Sequence, residues 1–401
     1  MRVLFFVEGF TDIRFVVGLA QMCRLTMAVP LRQYRDSGLE ERVAESGVSV
    51  SVHEIPGGRV GFQARSLRYL WRAAKQFDCI LSQEMLRGSF NANIAGALRG
   101  VPVVTYMTIS PVEYFRCRRE RRQIGLGKEL AGEVLIRSLM AVNGRLANRC
   151  IAMGPYLQHV AKRSCHQVDI GLYYGVDTDR FRPADLTERL ALRRQHGLPT
   201  DAFLILLSSR ISHEKDPETV LRATALARSR GVNAVLLNLG GGYRDFTKLA
   251  KQLGLPDVDR WVLGRPAVHP MRELADYFRA ADTLALASLA EGCGISPLEA
   301  LACGTPVVAT GVGGLAIVLD GHARLTARGD VAAMSDELVW VATHQDEARA
   351  DALRARVYVQ REWSREKAFR DLSCVLQQVS LESHSRPYAT DSSPHVGIRP
   401  A

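Results

Sequence analysis

Residues 291–306 read EGCGISPLEALACGTP and set two carboxylates, Glu291 and Glu299, around a Gly-Ile-Ser-Pro turn. Two chemistries compete for them. Ser296, Pro297 and Glu299 have the types of an N-cap, a first helical residue and the N3 acid of a capping box, which would give Glu299 a purely structural task. Glu291 follows the apolar run TLALAS and is flanked by glycines at 292 and 294. Core packing asks for no carboxylate there, whereas small neighbours let backbone approach a ligand. A helix start beside that loop aims free backbone N–H groups and the positive dipole end at it, which suits an anion. A carboxylate beside an anion site fits a ligand that carries hydroxyls and phosphates together.

The second constellation is SSRISHEKD, residues 208–216. Arg210 is expected to end a buried strand and Lys215 to follow in the loop, so both cations emerge at the carboxyl edge of one sheet. A phosphate clamp is the natural use of such a pair. Surface cations are common, and only placement on the sheet that also carries the Glu291 loop sets these two apart. The triplet Gly240, Gly241 and Gly242 also follows a strand pattern; it fits close approach of backbone to a ligand, and equally a simple turn.

The elements that must position these residues follow a strand-helix rhythm. Short apolar runs at Val3–Val7, Val48–Val52, Cys79–Ser82 and Val101–Tyr106 are separated by segments of helical length, which predicts a parallel sheet with helices on both faces. The rhythm restarts after YYGVDTDRFRP with AFLILLSSR (202–210), suited to a strand buried on both faces. A helix from Pro217, the strand AVLLNL, a helix at 244–253, WVLG, a helix at 271–281, TLALAS and PVVAT follow. The fold class is therefore α/β, two Rossmann-like domains facing a cleft, and in open α/β sheets ligands sit beyond the carboxyl ends of the strands. The expected division is 1–183 for the first domain and 184–362 for the second. Residues 363–380 should form a helix packing back toward the first domain, and 381–401, polar and rich in Ser and Pro, a disordered tail.

With 401 residues and 47% hydrophobic content, the chain can bury two ordinary cores. No apolar run reaches the roughly 18 residues of a membrane span, and Glu8 interrupts any secretory apolar region; the expected location is cytoplasmic. The eight cysteines show no zinc spacing and read as small buried hydrophobes. Residues 1–183 hold 26 Lys and Arg against 16 Asp and Glu, while 184–401 hold 26 of each, so the whole +10 surplus lies in the first domain. Its densest stretch, RCRRERR at 116–122, is either a solvated helix face or a patch for an anionic lipid surface or a phosphate-bearing acceptor. Nucleic acid is disfavoured, because no nucleic-acid-binding pattern accompanies the charge.

In their order and separations, SSRISHEKD, LGGG, VLG and EGCGISPLEALACGTPVVATGVGG resemble the nucleotide-sugar half of the retaining glycosyltransferases of family 4, of GT-B architecture. The match runs from about YYGVDTDRFRP to WSREKAF and is weak over residues 1–170. The resemblance implies that Arg210 and Lys215 bind a donor diphosphate, Glu291 the donor sugar hydroxyls and Glu299 the ribose. It also implies that backbone at Gly294, Ile295 and Ser296 meets sugar and phosphate, that Gly241 approaches the ligand, and that Arg265 lies beside the base. The partners it implies are a nucleotide-diphosphate-sugar donor and a glycan or lipid-linked acceptor, with no cofactor and no metal.

Two departures accompany it. Where many members carry a glycine-rich turn after the first strand, this chain reads VEGFTDIRF, leaving Gly9 as its phosphate-facing glycine. Many also carry a histidine after the strand matching PVVTYM, yet residues 54–158 contain none, and Met107 or Thr108 stands near that place. VEGFTDIRF also lacks the G-x-G-x-x-G of a nicotinamide-dependent dehydrogenase, and GLGKE at 125–129 lacks the hydroxyl of a P-loop. A sugar-nucleotide epimerase of the same architecture and a catalytically silent donor-binding partner remain as alternatives.

Overall fold

The computed structural model describes residues 1–120 and 125–384. Seven strands form the first sheet: β1 (Arg2–Phe6), β2 (Arg24–Pro30), β3 (Val50–Ile55), β4 (Cys79–Gln83), β5 (Val103–Met107), β6 (Arg149–Met153) and β7 (Val168–Gly171). All pairings are parallel, in the order β3-β2-β1-β4-β5-β6-β7. The second sheet comprises β8 (Phe203–Leu207), β9 (Ala234–Leu239), β10 (Val262–Arg265), β11 (Thr283–Leu286), β12 (Val307–Thr310) and β13 (Arg324–Thr326). Its order is β10-β9-β8-β11-β12-β13, again parallel throughout. The two-sheet α/β class expected from the rhythm is the one observed.

Each sheet reverses its winding direction once. β1 lies beside β4, and β8 beside β11, so the crossovers depart to opposite sides and leave a crevice between the two central strands. Such reversals at the carboxyl ends are where open α/β sheets take ligands. The central strands carry the least water: every residue of β8 (FLILL) and β9 (AVLLNL) is buried.

One carboxylate fixes the second reversal from below. Asp282, just before β11, is buried and accepts from Leu204 N at 2.7 Å, from Arg193 Nη2 at 2.6 Å and from Arg189. It thereby ties the start of β11 to β8 and anchors two arginines of the helix Leu186–Gln195.

The helix Ile13–Met22 follows β1 and is capped by Asp12, whose Oδ1 accepts from Arg14 N at 2.9 Å. The helix Arg365–His384 comes after the second sheet but packs beside the first, where Phe369 stacks with Phe15 at a centroid distance of 6.1 Å. Of the expected tail, residues 381–384 continue this helix, and 385–401 lie outside the described residues. In the basic stretch, the side chains of 118–120 and the whole of 121–122 also lie outside them.

Replacing Asp282 by alanine strands two buried guanidinium groups and should cost about 3–5 kcal/mol, read as a lower urea midpoint for the second domain. A midpoint within experimental error of wild type would contradict this anchoring role.

Candidate functional site

Arg210 was expected to end a strand, but β8 closes at Leu207 and Arg210 stands in the loop beyond. Asn238 ties that loop to β9: its Nδ2 donates to the carbonyls of Leu207 and Ser209 at 3.1 and 2.9 Å. The Arg210 side chain is 64% exposed, and its Nη2 donates to Glu214 Oε1 at 2.7 Å. Lys215 closes the single turn His213–Lys215, and its Nζ donates to Glu291 Oε2, which also accepts from Ser288 Oγ at 3.3 Å. Leu289 N donates to the Glu214 carbonyl at 2.8 Å, so the turn after β8 and the loop after β11 are bound by backbone as well as by charge.

The capping-box reading of Ser296 and Glu299 is corrected by the structure. The helix runs Ile295–Ala302 with Gly294 at its N-cap, at φ 79°, and no side chain caps it. The left-handed backbone at Gly294 starts the helix before Ser296 can cap it. A Cβ at Gly294 would also lie 2.4 Å from Leu315. Ser296 Oγ instead donates to the Ser208 carbonyl at 3.2 Å and fastens the helix start to the end of β8. Ile295 is the first helical residue, and both it and Ser296 are half-buried.

Glu299 faces the other domain. It is 2% exposed and takes a hydrogen bond from Arg14 Nη1. Arg14 also donates to Asp12 Oδ2 and to the Tyr174 hydroxyl, at 2.9 and 2.8 Å, and its guanidinium lies 4.1 Å from the Tyr174 ring centre. Burial pushes the Glu299 carboxyl up, and Arg14, shared with Asp12, only partly offsets it. Burial also works against charge on Asp12, but Arg14 outweighs it and holds that carboxyl below its ordinary value.

Arg210, Lys215, Glu291, Gly294, Ile295 and Ser296 thus gather at the carboxyl edge of β8 and β11. Gly241 joins them. Its carbonyl accepts from Ile211 N at 2.7 Å, and a Cβ there would lie 3.7 Å from Arg210 Cγ. Arg265 stands two strands away at the end of β10 and donates to the Gly197 carbonyl at 3.0 Å. Gly9 lies on the opposite domain after β1, exposed, with nothing within 4 Å of where a Cβ would sit. Among the described residues, no three His, Cys, Asp or Glu side chains gather as a metal site would need.

Sequence reasoning missed Arg14 and Glu214. Arg14 did carry a signal, since a cation in the first turn opposes the helix dipole and therefore calls for an anionic partner. That its partner is Glu299 depends on how the two domains meet.

Comparison with known proteins agrees with the two-sheet fold. The family model described as glycosyl transferases group 1 matches residues 188–356. A Catenulispora acidiphila relative, D-inositol 3-phosphate glycosyltransferase 1, is 33% identical over 300 residues, covering 71% of this chain and 68% of the relative. A second protein of that organism, D-inositol 3-phosphate glycosyltransferase 2, is 42% identical over 167 residues, but the match spans only 39% of this chain and 38% of the relative's length. Among solved structures, Anabaena HepE in complex with UDP-glucose has the same fold, with a TM-score of 0.76 and 18% identity over 94% of this chain and 100% of that one. Sucrose-phosphate synthase from Thermosynechococcus elongatus is similar, with a TM-score of 0.74 and 18% identity over 95% of this chain and 100% of that one. With paired parallel sheets of GT-B architecture, and a relative matched across more than two thirds of both chains, this chain belongs to the glycosyl transferases group 1.

Proposed function

We propose that the protein moves a hexosyl-type sugar from a nucleotide-diphosphate-sugar to a glycan or lipid-linked acceptor, with retention of configuration, in the assembly of a cell-surface polysaccharide or glycolipid. The observation that carries this reading is the meeting of Lys215 with Glu291 beside Arg210, at the reversal point of the second sheet. A cation and a carboxylate that answer each other there are poised to answer a donor, the cation taking phosphate and the carboxylate taking sugar hydroxyls. HepE, of the same fold, is solved with UDP-glucose, which supports a nucleotide sugar as the ligand class.

In this reading Arg210 and Lys215 hold the diphosphate, helped by the free N–H groups of the helix at Ile295. Glu291 holds the sugar, and Glu299, oriented by Arg14, meets the ribose. Gly241 admits the ligand backbone-close, Arg265 lies toward the base, and Gly9 faces the phosphates from the first domain. As the bond from the anomeric carbon to the diphosphate breaks, the acceptor oxygen attacks from the same face and its proton passes to a phosphate oxygen. Charge grows on the departing diphosphate, and fixed cations stabilise that charge more than the ground state. The reaction proposed here needs no metal, because Arg210, Lys215 and the helix end supply the positive charge.

The excess of Lys and Arg in residues 1–183 supports a further element of the reading, peripheral attachment to the anionic inner face of a membrane. Among the described residues no helix is long and apolar enough to cross one.

In a panel of nucleotide sugars, one should raise the wild-type Tm. Arg210→Ala and Lys215→Ala should lose about a hundredfold or more in turnover, and Glu291→Ala should abolish the donor-induced shift. Full activity in all three variants would remove the proposed site; interconversion of the donor sugar without transfer would point to an epimerase instead. Transfer should be unchanged after treatment with a chelator, and loss of activity restored by a divalent cation would contradict the metal-free reading. Anionic vesicles should bind the protein at low salt and release it at high salt, whereas no binding at low salt would remove the membrane element.

A further inference from the structure

The carboxyl edge of the first sheet holds an acid that the proposed donor site leaves unused. Glu84 directly follows β4, the strand beside β1 at the reversal point of that sheet. Its backbone lies at φ 68°, in the left-handed region where residues other than glycine are uncommon. Such conformations persist where the surroundings enforce them, and they cluster at functional sites.

Its two carboxyl oxygens are held unequally, and the backbone N–H groups of Thr108 and Ile109 and the Gln83 side chain also approach the group. Oε1 accepts from Thr108 Oγ1, while Oε2 is buried and has no hydrogen-bond partner among the described residues. Thr108 in turn touches the donor loop, since a Cβ on Gly292 would lie 2.8 Å from the Thr108 carbonyl oxygen. A single residue therefore separates Glu84 from the loop that carries Glu291. The Tyr173 phenol also lies near the carboxyl. On the helix that follows, Arg87 is engaged by Glu8 at 3.1 Å. Burial outweighs the hydrogen bonds and pushes the Glu84 carboxyl up to about 7.

Resting on the proposed glycosyl transfer, we propose that Glu84 binds the acceptor: its unpartnered oxygen accepts a hydrogen bond from the attacking hydroxyl and aims that hydroxyl at the sugar held by the Glu291 loop. The hydroxyl's proton still leaves to the departing diphosphate as the anomeric bond breaks, and Glu84 keeps its charge throughout. Because the carboxylate form accepts the hydrogen bond, the rate should fall as pH drops below about 7.

The test uses the full-length protein with UDP-glucose or GDP-mannose, whichever raises the wild-type Tm. Nucleotide release is followed with octyl glucoside as acceptor and with water alone. Glu84→Gln keeps the side-chain shape and the backbone strain. It should keep the donor-induced Tm shift, lose about a hundredfold in rate and lose the acidic limb of the pH profile. Glu84→Gly relieves the left-handed strain and should melt no lower than wild type while losing the same rate. A wild-type rate and acidic limb in Glu84→Gln would overturn the proposal. So would a Glu84→Gln variant that merely melts lower with an unchanged pH profile, the result of a bracing role. If neither donor shifts the wild-type Tm or is turned over, the donor site itself fails, and the role of Glu84 with it.

Discussion

Lys215 and Glu291 lie 76 residues apart in sequence, and their side chains meet because β8 and β11 are neighbours in space. The parallel sheet forces that arrangement: a crossover leaves from each strand, and where two crossovers depart in opposite directions the loops open instead of covering one another. A cation and a carboxylate held at such an opening are only partly screened by water, so their mutual attraction is stronger than on an open surface. In the function proposed above, the same two groups would separate to take a ligand that carries opposite charge for one and hydroxyls for the other. Asp282, at the other end of the same two strands, holds the frame on which this contact depends.

The two domains are joined through charge as well as through the helix Arg365–His384. Arg14 reaches from the first domain to Glu299 in the second, and Tyr174 closes over its guanidinium. Breaking a buried pair by removing one partner leaves an uncompensated charge, which is far costlier than losing an exposed pair. Glu299 is thus bound to the relative position of the domains, and anything that orders Glu299 also orders the crevice between the sheets. The first sheet has its own reversal point, and Glu84 stands there in left-handed backbone, with Thr108 between it and the Glu291 loop.

Much of the second domain was legible in the sequence because its strands are buried on both faces. Runs such as FLILL and AVLLNL leave little choice of element. β2, β6, β7 and β13 were harder. β2 begins with Arg24 and ends in Pro30, β7 carries Asp169 within four residues, and β13 is three residues long at a sheet edge. Arg210, Lys215 and Glu291 could be picked out as polar side chains in loops just after apolar strands. The helix start was misplaced because Ser-Pro-Leu-Glu satisfies capping rules by itself, while the left-handed turn at Gly294 takes over that task. Arg14 could not be paired, since its partner Glu299 is set by the approach of two domains, and Glu84 could not be assigned, since it meets Thr108 only because β4 and β5 are neighbours in the first sheet.

The central claim is that the second-domain crevice is built for a diphosphate with a sugar attached. Titration calorimetry with uridine and guanosine nucleotides tests it directly, comparing nucleoside, monophosphate, diphosphate and diphosphate-sugar on the wild-type protein. The account predicts that, for at least one base, the step from monophosphate to diphosphate strengthens binding by about tenfold or more, as two fixed cations would require. Equal affinity for monophosphate and diphosphate, with both bases, would contradict it.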